Sequence, residues 1–103
     1  MTFEAIRIIN ADHPTLPGHF PCAPLVPGVV ILDEVLAALI EWHADSQVTG
    51  IRMVKFLAPL QPEQVFTISL SLNDERSAEI HFCCRAEERV IVEGRLEVAW
   101  GAK

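Results

Sequence analysis

The sequence predicts an α+β protein: a curved antiparallel sheet of about five strands wrapped around one long central helix, with a second chain alongside. Three observations predict it. Val29–Ala44 runs without Gly or Pro, and its Val29, Leu32, Val35, Leu36, Leu39, Ile40 and Trp42 cover nearly the whole circumference of a helix. Five other stretches have the composition or the two-residue alternation of strands. A chain of 103 residues, half of them apolar, has room for one domain, residues 1–103. Its sheet is too small to close around such a helix, which leaves an edge strand and apolar surface for another copy.

Taken in order, Thr2–Ile9 is β-branched and short, with Ile6 and Ile8 on one face, and reads as a strand. The loop that follows carries five of the seven prolines between His13 and Pro27. The helix starts at Gly28, after the stop supplied by Pro27, and Pro near a first helical position loses no hydrogen bond. Leu, Ala and Glu favour helix over its β-branched start. After a linker DSQVTG, strands are expected at Ile51–Leu57, Val65–Leu72, Ala78–Arg85 and Arg89–Trp100, arranged as an antiparallel meander. In the clearest of them Phe66, Ile68, Leu70 and Leu72 face one way and Val65, Thr67, Ser69 and Ser71 the other. NDERS and AEER are hairpin connections, and APLQPEQ, with two prolines, is a wider corner.

The net charge of −6 and the lack of a basic cluster exclude a nucleic-acid binder. Asp33, Glu34 and Glu41 interrupt the longest apolar run, so no membrane span is expected. The N-terminus has no basic leader or cleavage site, and the three cysteines, Cys83 and Cys84 being adjacent, form neither a disulfide framework nor a metal-ligand spacing. A cytoplasmic protein with structural thiols is the expectation, Cys22 being the one thiol in a loop beside a histidine.

Two side chains and one turn of backbone invite chemistry. His19 lies in PGHFP, where Pro17, Gly18 and Pro21 restrict its backbone, so its imidazole either caps the loop or is a positioned base able to take a proton at neutral pH. On the helix, Glu34 and Glu41 share a polar edge while Asp33 falls among Val29, Leu36, Ala37 and Ile40. A carboxylate in a buried apolar setting is costly to ionise unless paired. Asp33 is therefore either an acid complementing the helix dipole or a functional group. The amides of Gly28 and Val29 have no intrahelical acceptor and could hold a carbonyl oxygen as charge develops on it. His13, His43 and His81 read as structural or surface groups, and no histidine pair has metal-ligand spacing. A base, an acid and an amide cradle suffice to remove a proton beside a thioester carbonyl.

The run GHFPCAPLVPGVVILDEV resembles the signature of hot-dog-fold 3-hydroxyacyl-(acyl carrier protein) dehydratases, G-H-F-P-G-x-P-x-x-P-G-V-x-x-x-[ED], and VKFLAPLQPEQVFTISL resembles that family's lysine-phenylalanine strand, proline corner and long strand. The short length, GVV and the aspartate are similar to the compact dehydratases of aryl-polyene clusters. The resemblance implies His19 as catalytic histidine, Asp33 rather than Glu34 as catalytic acid, and Gly28 as the oxyanion-hole amide. It further implies a dimer in which each site takes its histidine from one chain and its acid from the other. The implied reaction is dehydration of a 3-hydroxyacyl thioester to the trans-2-enoyl thioester, without metal or redox cofactor. The substrate arrives on the phosphopantetheine of an acyl carrier protein or as a CoA thioester.

Phe20, Cys22, Val29 and Ala37 would line the substrate tunnel, and Arg52, Lys55 and Arg85 are the local candidates for carrier contact. Cys22 replaces a usual glycine, Ala37 stands where many members have glutamine, and PEQ replaces PGD, changes that bear on acyl length and shape. A hot-dog acyl thioesterase and a non-catalytic partner subunit of a heteromeric dehydratase are the alternatives. The homodimer and the heterodimer with another hot-dog subunit both stay open.

Overall fold

The computed structural model describes residues 1–10, 25–74 and 77–101. His13, the proline loop with His19, Phe20 and Cys22, and two residues of the NDERS turn lie outside the described residues. The chain order is β1 (Thr2–Arg7), α1 (Gly28–Trp42), β2 (Ser46–Phe56), β3 (Phe66–Ser71), β4 (Glu79–Ala86) and β5 (Arg89–Trp100). The strands form one antiparallel sheet in the order β1-β3-β4-β5-β2.

Only β3, β4 and β5 form the expected meander. β2 does not pair with β3; it lies at the far edge against β5, while β3 takes β1 as its other neighbour. Residues 57–65, with Pro59 and Pro62, are too long and stiff for a hairpin and instead carry the chain across the sheet. That corner is anchored at both ends of the loop before the helix: the Val26 amide donates to the Leu60 carbonyl at 2.8 Å and the Glu63 amide to the Ile9 carbonyl at 2.8 Å.

β2 also begins earlier than expected. DSQVTG has the polarity of a linker, yet Ser46, Gln47 and Val48 pair with Trp100, Ala99 and Val98. The long partner strand overrides local propensity. Register shifts between Val48 and Gly50 and between Ile51 and Met53 absorb the irregular residues. A third irregularity, between Cys84 and Arg85, leaves Ile91 of β5 unmatched, and its carbonyl accepts the amides of Leu57 (2.8 Å) and Ala58 (3.2 Å). The exit of β2 is thereby fastened to the sheet.

Alternation in β3 is as expected, with Phe66, Ile68 and Leu70 buried and Thr67, Ser69 and Ser71 outward. Against this inner face α1 packs Val30, Ile31, Val35, Ala38 and Leu39. The helix is covered on that side alone: Val29 is 62% exposed and Ile40 50%. One small sheet leaves that side of the helix open, as expected of a sheet too small to close around it. At the helix C-terminus His43 is half-buried and takes the structural place allowed for it. Its ring lies 4.6 Å from Trp42 and 5.1 Å, edge-on, from Trp100, and Ser46 Oγ donates to its carbonyl at 2.8 Å.

Candidate active site

The start of α1 is built by Pro27, which occupies the cap with φ −61° and ψ 145° and offers no side-chain hydrogen bond. Its carbonyl accepts the amides of Val30 (3.0 Å) and Ile31 (3.4 Å). The amides of Gly28 and Val29 come one turn too early for any acceptor within the helix, so the positive end of the helix dipole is presented here. At Gly28 the constraint is close approach rather than backbone angle: a methyl group added there would sit 2.6 Å from Cε1 and Cζ of Phe56, whose ring would have to turn aside.

In front of this turn lies an open groove of about 450 Å³, lined among others by Val26, Gly28, Ile31, Phe56, Ala58 and Leu60, with no ionisable side chain among the described residues that line it. A volume of this order suits a small organic group. A second hollow of similar size lies on the outer face of the sheet, away from the helix, among Ser69, His81, Cys83, Arg85, Glu93 and Arg95. It is bordered by a charge network in which Arg52 pairs with Glu79 (3.3 Å) and Glu97 (3.1 Å), and His81 meets Glu79 at 3.4 Å.

Asp33 is exposed, so burial in its own chain does not explain it, contrary to the expectation of a carboxylate in an apolar interior. The dipole explanation fails as well, because α1 has no acid in its first turn and the dipole's effect fades beyond it. Among the described residues Asp33 has no hydrogen bond or ion pair. Glu34 and Glu41 differ: both are held by Arg7 of β1, whose Nε lies 3.2 Å from Glu34 Oε1 while its Nη2 pairs with Glu41. The hydrogen bond to Glu41 raises the Arg7 pKa, with burial opposing it. Of the three helix acids, Asp33 alone is uncommitted, and it projects from a face where Val29, Leu36 and Ile40 are exposed apolar groups.

The structure thus brings Gly28 to the groove and leaves Val29, Asp33 and Ala37 on the adjoining outward face of α1. Arg52, Lys55 and Arg85 lie on the outer side of the sheet: Arg52 is engaged with two glutamates, Lys55 is opposite Glu93 in register, and Arg85 is exposed. His19, Phe20 and Cys22 are outside the described residues. Phe56 and the corner after it were read from sequence as a family-like strand and proline corner, but not as site residues. Their signal was an aromatic residue directly ahead of a proline corner, mirroring the Pro-Gly at the helix start.

A five-stranded antiparallel sheet in this order, curved over one helix, is the hot-dog fold. A solved dehydratase heterocomplex, ApeI:P from Xenorhabdus doucetiae, has a chain that superposes with a TM-score of 0.83 at 25% identity over 95% of this chain and 87% of that one. The fluoroacetyl-CoA-specific thioesterase FlK, in a variant form, shares the fold at a TM-score of 0.75 and 17% identity over 96% of this chain and 84% of its own. In sequence, the 3-hydroxyacyl-[acyl-carrier-protein] dehydratase FabZ of Chlamydia trachomatis serovar L2 is 29% identical over 104 aligned residues, 89% of this chain and 68% of that protein. The sequence model of the ApeI-like family, described as ApeI dehydratase, matches residues 2–95. The chain belongs to the ApeI-like dehydratase family.

Proposed function

We propose that this chain catalyses the reversible loss of water from 3-hydroxyacyl thioesters carried on an acyl carrier protein, giving trans-2-enoyl thioesters in fatty-acid-like or aryl polyene synthesis. The observation that carries it is the uncommitted Asp33 next to the free-amide start of α1, in a chain of a dehydratase family. In this reading the His19 imidazole takes the proton from the carbon beside the thioester carbonyl. The electron pair moves toward the carbonyl oxygen, which accepts a hydrogen bond from Gly28 N–H, and the carbon–oxygen bond at C3 then breaks as Asp33 hands a proton to the departing hydroxyl. Water leaves, and the proton on His19 returns to Asp33 through solvent. Five residues of helix put Asp33 about 7.5 Å along the axis from Gly28, room for the three carbons between the two events.

The apolar face around Asp33 calls for cover, and a second hot-dog chain supplying His19 from its own loop would complete the site. No helix among the described residues is long and apolar enough to cross a membrane. A cytoplasmic setting fits the free thiols Cys83 and Cys84. No metal or redox group has a part in these steps.

Enoyl formation from a 3-hydroxyacyl thioester tests the reading. His19→Ala and Asp33→Asn should each lower kcat about 10²- to 10⁴-fold, and Glu34→Gln should leave it within about threefold. Unchanged turnover in either of the first two overturns the assigned roles. Because a related chain is known from a heterocomplex, a preparation silent alone but active when mixed with another hot-dog subunit would make this chain the partner half.

A further inference from the structure

Phe56 ends β2 on the inner side of the sheet. Its cross-strand partner Val92 is wholly buried, yet Phe56 is 54% exposed. The edge of its ring fills the place where any side chain at the start of the helix would go, 2.6 Å from the position of a Gly28 methyl. The backbone on both sides of this contact is pinned. Leu57 and Ala58 donate to the bulged Ile91 carbonyl, and Val26 donates to the Leu60 carbonyl. Widening the space beside Gly28 therefore requires rotation of the Phe56 side chain, not a shift of the chain. Among the described residues the remaining groove wall, including Val26, Ile31, Ala58 and Leu60, offers no polar side chain that would choose among acyl groups by hydrogen bonding. Selection here is by shape.

We propose that Phe56 is a specificity-determining residue: its ring narrows the apolar groove beside the Gly28 amide, so that acyl chains slim next to the thioester carbonyl enter and chains branched there are rejected. The inference rests on the reading of Gly28 N–H as the group that holds the carbonyl oxygen. One extra methylene in an apolar pocket shifts selectivity by about 10- to 200-fold.

The test uses unreactive amide analogues of 3-hydroxyacyl pantetheine, in which N–H replaces the thioester sulfur and the carbonyl is kept, one straight and one with a methyl branch at C2, titrated calorimetrically into the wild-type protein, Phe56→Ala and Phe56→Leu. The wild type should bind the straight analogue at least about tenfold more tightly than the branched one, Phe56→Ala should bring the ratio to within about threefold, and Phe56→Leu should fall between. A ratio unchanged in both variants, or a wild type that binds neither analogue, overturns the proposal. Phe56→Leu keeps most of the apolar bulk and serves if the alanine variant fails to fold. Turnover of the straight 3-hydroxyacyl thioester is measured in parallel. Its absence beside an altered binding ratio refutes the dehydration reading and leaves the role of Phe56 standing.

Discussion

Cys83 and Cys84 are sequence neighbours that face opposite media. Cys84 is fully buried, and loss of water around the thiolate, with a smaller push from Cys83, raises its pKa to about 12. In the unfolded chain the thiol ionises near 9.0, so between about pH 9 and 12 the unfolded state has released a proton that the folded state keeps. This contribution to stability is whole below pH 9 and falls by about 1.4 kcal/mol per pH unit above it. Urea unfolding at about pH 8 and pH 11 should show a steeper loss for the wild type than for Cys84→Val; equal losses would contradict the burial assignment. Local periodicity was enough to find this pair, and enough to set Asp33 apart on the helix wheel. It was not enough to show that Glu34 is engaged, because Arg7 lies 27 residues away on another element. Nor could it show that Phe56 stands against Gly28, a contact made only when β2 and the helix start meet in space.

The β4–β5 connection is a two-residue hairpin turn in which Glu87 (φ 52°) and Glu88 (φ 65°) both adopt left-handed backbone. That is the type I′ turn, matched to strand twist and best served by Asn-Gly. Each side chain with a β-carbon in this region costs about 1 kcal/mol or more. Replacing the pair by Glu87→Asn and Glu88→Gly should stabilise the protein by about 1 kcal/mol and raise Tm by about 4–8 °C, read by thermal unfolding. A Tm that stays or falls would mean that the turn is set by contacts beyond its own dihedral angles. AEER was recognisable as a short polar connection, though its turn type was not, since glutamate is no marker of positive φ. The early start of β2 was hidden for a related reason. Ser46, Gln47 and Gly50 carry no strand signature of their own, and the order there comes from the length of β5.

For the whole molecule, one helix, five strands and an inner face of alternating apolar residues were readable because periodicity is a local property. The position of β2 at the far edge was not, because strand pairing across residues 57–65 is a long-range choice. That choice has a consequence for assembly. With β2 at the edge, Ile51 and Phe56 are exposed, as are Val29, Leu36 and Ile40 on the uncovered helix face. An apolar surface of this extent beside a free strand edge marks an interface. Sedimentation velocity should give twice the 11.4 kDa chain mass at micromolar protein, and Tm should rise with protein concentration, as mass action requires. Ile40→Glu, which buries a charge in that contact, should shift the protein to a monomer and abolish the concentration dependence. Ile6→Glu, at a site 71% exposed on the outer face of β1, should leave both unchanged. Because Asp33 lies on the same helix face as Ile40, the Ile40→Glu monomer should also lose turnover. A wild type that is monomeric yet active on its own, or an active Ile40→Glu monomer, would separate the helix face from catalysis and leave no role for a shared site.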